Sequence, residues 1–539
     1  MKERSIKIIR LPSFFRKRQF SSKLNCSLIP PLGVGLISGY IRSRGIKIEQ
    51  DDLNIRIHYD NSYPGQAEDK VDTEVFFDIS RVTSYAEGRE DPYLDSVMRK
   101  AAKKVKISDN QIILLSLPDN IENDTNLMFA MAFSSFTKKR HNSINIIGGE
   151  SLWLDLLRIK YSCKHIDYII YGEGEVAVEH VLSHIINGEN SLKNIPGLLV
   201  EDGGKIIRSD LSLRPIRPDF TGLPIEKYKS REEVLEYPLG IGSIMDEFQA
   251  SNTLVLPYRF IRGCPFECIF CVSSARDLSY ALTAQEVTAH LKSLQEEYNP
   301  TGFFFLEDTI NISKKYIDDL CDEIIKDKIN ILWSDCARVD NLDRETIFKM
   351  RQAGCIRLIF GMETASPRLL KYINKKIDLR QLENTLRWSD EAGIWAGLEV
   401  ICGLPHENED DIQATAAFLN TNQQYINRVY LNHFDLRENT PLYNFPDKHG
   451  LERIFEVNQY AQKDFISYVR FGFNEAGGLS WPDKARQIER SLVTVQENCQ
   501  LGLRYFTDEH LLFFLYSRFT DKKKINSIYL KIVRPDNLS

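Results

Sequence analysis

The sequence has no apolar run long enough to cross a membrane. A spanning helix needs about 20 consecutive apolar residues, and the longest late run, HLLFFLYSRF at His510–Phe519, is about half that length and predicts a buried helix. The N-terminal segment is basic but has neither the apolar core nor the cleavage site of a signal peptide. We therefore expect a cytoplasmic protein with no membrane partner.

The chain also has no excess of positive charge. It contains 69 Lys and Arg residues against 75 Asp and Glu residues, for a net charge of -6. This balance argues against a broad nucleic-acid-binding surface, so we expect no nucleic-acid partner. The sequence shows no internal repeat or low-complexity tract, and its length of 539 residues predicts two or three globular domains.

Most of the ten cysteines are isolated in the sequence, several of them inside apolar segments, which predicts buried free thiols in a reducing compartment. The isolated ones are Cys26, Cys163, Cys321, Cys336, Cys355, Cys402 and Cys499. The other three, Cys264, Cys268 and Cys271, lie within eight residues in the stretch IRGCPFECIFC, with CxxxCxxC spacing.

Three thiols without a nearby fourth ligand suit an iron–sulfur cluster. Such clusters are held by Cys thiolates, usually four, so three ligands leave one iron of a [4Fe-4S] cluster open. An open coordination position distinguishes a reactive metal site from a structural one. Gly263 and Pro265 would help the loop wrap the cluster. A zinc site would normally want a fourth Cys or His nearby, which the sequence does not offer, and chance clustering of thiols is the remaining alternative.

The first part of the chain alternates short apolar strands with helical segments. In residues 1–200 the predicted strands include IKIIRL, QIILLSL, INIIGGE and IDYIIYGEGE, and a helix is predicted from Gly33 to Arg44. This alternation predicts an α/β fold with a Rossmann-like, doubly wound parallel sheet. Ligands of such sheets bind outside the carboxyl ends of the strands. Residues 201–252, with EDGGK and RPIRPDFTGLP, form a predicted linker.

A second series of strand–helix units follows the linker. About six such units in residues 253–440 predict a partial TIM barrel. Residues 441–539 lack this rhythm and are predicted to form a mostly helical region that closes the open end of the barrel.

The cysteine loop GCPFECIFC resembles that of the radical S-adenosylmethionine (SAM) enzymes, and the resemblance extends over residues 28–450. The branch of the family that the sequence resembles is the one with an N-terminal cobalamin (B12)-binding domain. The segments PPLGVGLISGYIRSRGIKIEQDDLN, YIIYGEGE and RPDFTGLP are similar to landmarks of that domain. The segments WSDCARVDNLD, MRQAGCIRLIFGMETASPRLLKYINK and ICGLPHENEDD are similar to landmarks of the catalytic half. Their order and spacing indicate the family more than the reaction.

The resemblance implies that Cys264, Cys268 and Cys271 bind a [4Fe-4S] cluster whose open iron binds the amino and carboxylate groups of SAM. Reduced flavodoxin or ferredoxin would supply an electron, and SAM would be cleaved to methionine and a 5′-deoxyadenosyl radical. That radical abstracts hydrogen from an unactivated carbon. The cofactors carry the chemistry, and the protein supplies orientation and excludes water.

Five other residues of the second series are implied to lie near SAM or the cluster. Glu307 and Asp308 end the strand FFFLEDT and match family positions near the amino group of SAM, although Asp308 also suits a helix cap. Arg338 suits the methionyl carboxylate, or a surface ion pair. Glu363 matches the position near the ribose. Phe270 would shield the cluster or the adenine, or pack in the core.

The N-terminal domain lacks the DxHxxG motif with which one type of cobalamin domain presents a histidine to cobalt. The resemblance still implies a cofactor site at the strand ends, formed by Ser116, Gly148, Gly149, Gly172 and Glu173. Glycines there permit close backbone approach to a ligand, and plain turn chemistry is the alternative. The same strand ends include Pro118, Asn120 and Glu150.

The implied function is a cobalamin-dependent radical methyltransferase acting on an unactivated carbon or phosphorus of a small-molecule or peptide substrate. The alternative is a radical enzyme that does not methylate but performs a cyclisation, rearrangement, epimerisation or C–C bond formation. A tRNA-methylthiolating enzyme would be expected to show a second cysteine cluster and a basic RNA-binding module. A cobalamin sensor would have no use for the cysteine triplet.

Overall fold

The computed structural model describes residues 4–12, 29–62, 70–117, 124–149, 164–188, 191–199, 214–229, 252–275, 280–457, 471–498 and 509–533. The chain divides into two units, one of residues 1–211 and 216–238 and the other of residues 212–215 and 239–539. Each unit contains one six-stranded sheet, which confirms the predicted α/β fold class. No helix in the described part of the chain is both long and apolar enough to cross a membrane.

The sheet of the first unit has the order β2-β1-β3-β4-β5-β6, and its strands are parallel except for β6. The strands are β1 (Ile6–Arg10), β2 (Glu49–Asp52), β3 (Ile112–Ser116), β4 (Ile144–Gly149), β5 (Tyr168–Tyr171) and β6 (Leu198–Leu199). The helices are α1 (Leu32–Ser43), α2 (Leu53–Ser62), α3 (Ile79–Ala86), α4 (Pro92–Lys104), α5 (Asp124–His141), α6 (Glu175–Asn187) and α7 (Ile225–Tyr228). The winding reverses between β1 and β3, which makes the sheet doubly wound.

The central strands β1 and β3 are buried along almost their whole length, as the apolar run IILLS of β3 predicts. Helix α5 contributes Phe129 and Phe133, both fully buried, with ring centroids 5.7 Å apart. Burying a side chain of this size stabilises the fold by about 2 kcal/mol. This core holds the strands in place and with them the carboxyl ends that carry the candidate cofactor residues.

Part of the predicted linker packs on the first unit. The Phe220 ring occupies the space beside Gly35, where an added Cβ would lie only 2.6 Å from a ring carbon. Asp219 forms an ion pair with Arg42 at 2.6 Å. Residues 216–229 therefore belong structurally to the first unit, whereas the domain boundaries drawn from the sequence stay predictions.

The second unit contains a wholly parallel sheet with the order β14-β13-β12-β11-β10-β7. Its strands are β7 (Val255–Tyr258), β10 (Gly302–Phe305), β11 (Trp333–Ala337), β12 (Cys355–Glu363), β13 (Trp395–Cys402) and β14 (Arg428–His433). The helices between them are α8 (Ala284–Tyr298), α9 (Lys314–Lys326), α10 (Arg344–Gln352), α11 (Pro367–Tyr372), α12 (Leu379–Ala392) and α13 (Glu409–Asn422). A short antiparallel pair, β8 (Ile261–Arg262) and β9 (Tyr280–Ala281), follows β7. This open series of six strands is the predicted partial barrel.

Because all six strands run in the same direction, their carboxyl ends lie along one edge of the sheet, which we call the carboxyl edge. Short polar caps fix where the loops at this edge turn into helices. Thr283 and Glu286 form a capping box at the start of α8, and the Asp343 carboxylate accepts the backbone N–H of Thr346 in α10. Such caps satisfy N–H groups that the first helical turn leaves free.

The C-terminal region adds helices and one antiparallel pair of strands. Its elements are α14 (Pro441–Asn444), β15 (Leu451–Glu456), β16 (Phe471–Glu475), α15 (Asp483–Asn498), α16 (Glu509–Arg518) and α17 (Lys522–Val533). Helix α15 reaches the carboxyl edge, because Ile488 fills the space where a Cβ on Gly403 would lie. The backbone N–H of His406, in the loop after β13, donates to Glu475 of β16 at 2.8 Å.

The last two helices lie at the other end of the strands. Phe513 of α16 packs on Gly302, the first residue of β10, where an added Cβ would be 2.3 Å from the ring. The Tyr516 hydroxyl donates to the Gly393 carbonyl, just before β13, at 3.0 Å. Helix α16 therefore covers the amino ends of these strands, where Lys522 of α17 also pairs with Asp390 at 2.8 Å. Closure of the carboxyl edge stays a prediction for the rest of residues 441–539.

Candidate active site

The three clustered cysteines lie on a loop at the carboxyl edge. After β8, Gly263 adopts φ +81°, a conformation that favours glycine, and turns the chain into the loop. Two backbone hydrogen bonds attach the loop to its neighbours: the Ile269 N–H donates to the Ile373 carbonyl, and the Leu442 N–H donates to the Ile269 carbonyl, each at 3.1 Å. The loop is therefore held between α11 and α14, two short helices beside the carboxyl edge.

None of the three described thiols is in a disulfide, and they are close enough to influence one another. Burial raises the pKa of Cys264 to about 11, and Asp308, Cys271 and Cys268 raise it further. Burial also raises the pKa of Cys271. Thiolates in such surroundings need a cation, and a metal centre deprotonates a coordinating thiol outright.

The donor set fits a cluster better than a single ion. Among the described residues, no group of three or more Cys, His, Asp or Glu side chains converges on one point as ligands to one metal ion would. Thiolates that bind different irons of a cluster need no such common point. Three thiolates on one loop remain a donor set that suits a multi-iron group.

Arg338, directly after β11, is buried beside the cysteine loop with a relative exposure of 6%. Its guanidinium stacks on the Phe266 ring at 4.0 Å, and its Nη1 lies 3.7 Å from the Cys268 Sγ. The same group forms an ion pair with Asp340 at 2.9 Å and donates to the Lys375 carbonyl at 2.5 Å. Arg338 is therefore not in a surface ion pair, and its contact with a SAM carboxylate stays a prediction.

Glu307 and Asp308 follow β10 but have different surroundings. Glu307 is buried and accepts the backbone N–H groups of Phe260 and Ile261 at 2.6 and 3.1 Å, so it holds the strand that leads into the cysteine loop. Burial raises the pKa of Glu307 to about 8. Asp308 is partly exposed, accepts the Ser273 hydroxyl at 2.8 Å, and lies 3.7 Å from Arg259. Asp308 does not serve as a cap in these contacts.

Glu363 ends β12 with φ +64°, in the left-handed region that non-glycine residues rarely adopt. Its carboxylate pairs with the buried ammonium of Lys375 at 2.6 Å. Gly361 makes room for this pair, because a Cβ there would lie 2.5 Å from the Lys375 Nζ. Glu399 of β13 belongs to the same charged group: burial and then Glu363 raise its pKa to about 7. Strained backbone with a buried ion pair is a common feature of functional sites.

Several residues of this site escaped the sequence analysis. Phe266, rather than Phe270, is the loop aromatic that stacks on Arg338, while Phe270 lies half-buried in the loop. Lys375 ends the quoted segment MRQAGCIRLIFGMETASPRLLKYINK and Ser273 follows the cysteine triplet, but no local pattern marks either side chain as part of the site. Only the tertiary structure brings their polar atoms to Glu363 and Asp308.

The candidate residues of the first unit lie at the carboxyl ends of β3, β4 and β5, as predicted. Ser116 ends β3, Gly148 and Gly149 end β4, and Gly172, with φ +73°, follows β5 with Glu173. A packing reason exists for Gly149, since a Cβ there would lie 3.0 Å from the Leu117 Cβ. Pro118, Asn120 and Glu150 lie outside the described residues. Cofactor binding by this edge stays a prediction.

The radical SAM superfamily model matches residues 258–419, which span the cysteine loop and the strands that carry Glu307, Arg338 and Glu363. The chain contains a radical SAM domain. An uncharacterized methyltransferase from Pyrococcus horikoshii is 28% identical over 324 residues, 59% of this chain and 67% of that protein. An anaerobic magnesium-protoporphyrin IX monomethyl ester cyclase from Rubrivivax gelatinosus is 26% identical over 46% of this chain, and the match spans only 44% of the cyclase.

The fold around the radical SAM domain is also similar to a solved structure. The radical SAM methyltransferase TsrM from Kitasatospora setae, solved with cobalamin and a [4Fe-4S] cluster, aligns over 98% of both chains with a TM-score of 0.62 and 13% identity. The likeness thus includes the first unit as well as the radical SAM domain. At this identity it establishes the fold and leaves the reaction open.

Proposed function

We propose that this protein is a cobalamin-dependent radical SAM methyltransferase. The observation that carries the proposal is the set of three neighbouring thiols, none of them in a disulfide, at the carboxyl edge of the radical SAM domain. Cys264, Cys268 and Cys271 would hold a [4Fe-4S] cluster. When reduced, such a cluster supplies the electron that cleaves SAM to methionine and a 5′-deoxyadenosyl radical.

The surrounding residues have distinct parts in this proposal. Asp308 is the better-placed carboxylate for the SAM ammonium, because both oxygens of Glu307 are taken by backbone N–H groups. Glu363, held by Lys375, would face the ribose. The cysteine loop, held between α11 and α14, would keep water away from the radical, which must react with the substrate before it reacts with solvent.

Use of cobalamin by the first unit rests on relatives. TsrM was solved with cobalamin and has the same overall fold, and the Pyrococcus horikoshii relative is described as a methyltransferase. The sheet order of the first unit places its switch point between β1 and β3, beside the ends of β3 and β4 where such sheets bind ligands. The substrate in this proposal is a small molecule or peptide, and the electron donor is reduced flavodoxin or ferredoxin.

A radical enzyme that does not methylate is the second candidate. The cyclase from Rubrivivax gelatinosus favours it, since this relative is named for ring formation. The two candidates share the cluster and the radical and differ in the fate of the SAM methyl group.

The first experiment tests the cluster and SAM cleavage. Anaerobically reconstituted protein is expected to bind a [4Fe-4S] cluster and, with dithionite and SAM, to form 5′-deoxyadenosine. Alanine at Cys264, Cys268 or Cys271 is expected to abolish product formation. Cys321→Ala removes a fully buried thiol of α9 in the same unit and should leave it intact. Wild-type protein without four irons, or without 5′-deoxyadenosine, would contradict the proposal.

The second experiment separates methylation from other radical chemistry. Hydroxocobalamin is added to the reconstituted protein, unbound corrinoid is removed, and the corrinoid absorption bands are recorded. With reductant and SAM, a methyltransferase should form S-adenosylhomocysteine only when cobalamin is present. Formation of 5′-deoxyadenosine without S-adenosylhomocysteine, or failure to retain cobalamin, would favour the non-methylating enzyme.

A further inference from the structure

One of the three cluster cysteines differs from the others in its surroundings. Cys268 is the most buried of them, with a relative exposure of 6%. Two cationic side chains, Arg338 and Lys375, lie in its electrostatic environment. Both cations are themselves buried, at 6% and 7% exposure. Charges excluded from water act on a neighbouring sulfur with little screening.

Four of the five N–H groups of the Arg338 guanidinium point to protein groups. Its Nε bonds Asp340 at 2.9 Å, its Nη2 bonds Asp340 and the Lys375 carbonyl, and its Nη1 points to the Cys268 sulfur at 3.7 Å. A bidentate contact with a ligand carboxylate needs two free parallel N–H groups. This packing therefore favours a role toward the sulfur over a role toward SAM.

The position of that N–H group is fixed on three sides. The Phe266 ring lies against the guanidinium plane at 4.0 Å, and Asp340 and the Lys375 carbonyl hold its edge. Lys375 is itself anchored, because its ammonium pairs with Glu363 at 2.6 Å. Arg338 thus needs no rearrangement to donate to the sulfur.

We propose that Arg338 is a positioning residue that donates an N–H to the Cys268 thiolate and raises the reduction potential of the cluster bound by the three cysteines. The inference depends on the proposed function, because it requires that cluster. Reduction adds one electron from a low-potential one-electron donor, makes or breaks no bond and transfers no proton. The reduced state carries one more negative charge, so a buried cation and an N–H donor stabilise it more than the oxidised state.

The test compares midpoint potentials of reconstituted variants without SAM, measured by EPR-monitored titration. Arg338→Gln is expected to lower the potential, so that at a fixed applied potential the ratio of reduced to oxidised cluster falls at least tenfold, about 59 mV for one electron. Arg338→Lys keeps the charge but loses the planar N–H set, and its potential should fall between the two. Arg351→Gln is the matched control, because Arg351 also lies over an aromatic ring, Tyr516 at 5.6 Å, but near the amino ends of the strands.

Each outcome shows whether Arg338 raises the reduction potential of the cluster or has a purely structural role. An unchanged potential in Arg338→Gln with a full cluster overturns the inference, as does an equal drop in Arg351→Gln. If Arg338→Gln cannot hold the cluster, Arg338→Lys decides: a lowered potential supports the inference and a wild-type potential overturns it. Wild-type protein that binds no four-iron cluster shows instead that the proposed function has failed.

Discussion

The clearest stability prediction concerns Lys484, a fully buried cation in α15. Its ammonium pairs with Glu475 of β16 at 2.9 Å, and the side-chain exposures are 0% for Lys484 and 4% for Glu475. The same ammonium donates to the Leu404 carbonyl at 2.6 Å. Lys484 therefore joins the C-terminal region to the loop after β13 at the carboxyl edge. Lys484→Met keeps most of the side-chain volume and removes the charge.

The expected loss follows from what the substitution leaves behind. Glu475 would keep the backbone N–H of His406 at 2.8 Å as a partner, but its charge would lose the buried cation. Removing one partner of a buried ion pair costs about 3 to 5 kcal/mol. Pairing Lys484→Met with Glu475→Gln should recover part of this loss, because residue 475 then carries no buried charge.

Urea unfolding measures the loss, and hydrogen exchange locates it. Lys484→Met should lower the unfolding midpoint and speed amide exchange in α15 and β16. Lys315→Met is the control, since Lys315 pairs with Asp319 at the surface, with exposures of 82% and 51%, where a pair contributes at most about 1 kcal/mol. A loss in Lys484→Met no larger than in this control would refute the reasoning.

Two further predictions concern the radical SAM domain. Burial raises the pKa of Glu407 from the ordinary 4.5 to about 7. The positive charge of Lys484 opposes this rise, and the nearby Asp411 adds to it. The folded state thus keeps a proton that the unfolded state releases, and stability is lost as pH rises through about 7. Glu407→Gln should remove about 2 kcal/mol of the fall in unfolding free energy between about pH 5.5 and about pH 7.5; an unchanged pH dependence would contradict this. Gly354→Ala should cost at least about 2 kcal/mol by thermal unfolding, because Gly354 has φ +94° and an added Cβ would lie 1.9 Å from the Ile331 carbonyl oxygen. Gly393→Ala is its control, because Gly393 has φ +80° and an added Cβ would meet only the Arg351 Nε, at an ordinary 3.8 Å; equal losses would show that the clash contributes nothing.

Local sequence patterns were enough to predict most strands of the first sheet, though not β6, and the strand–helix series of the second. The runs IILLS and INIIGG became β3 and β4 because apolar, β-branched segments between turns fit buried parallel strands. The helix predicted from Gly33 to Arg44 occupies Leu32–Ser43. The apolar run near the C-terminus is the buried helix α16. Such features depend on residues close in the chain, so their pattern can be read without the fold.

The cysteine triplet could also be predicted from the sequence, because its ligands lie within eight residues. The sequence likewise singled out Glu307, Arg338 and Glu363, which lie at or just after strand ends, and parallel strands bring such ends to one edge. What each side chain does there did not follow. Glu307 proved to hold the backbone at Phe260 and Ile261, a contact across 47 and 46 positions of the chain.

Only the tertiary structure decided which side chains and backbone groups contact one another across long stretches of the chain. It placed Arg338 on Cys268 across 70 positions and Lys484 on Leu404 across 80. It also sent α16 and α17 to the amino ends of the strands, although their sequences only require an apolar surface to pack against. A local run of apolar residues determines that a segment must be buried. The surface that buries it is formed by elements far apart in sequence, so the tertiary structure decides where the segment packs.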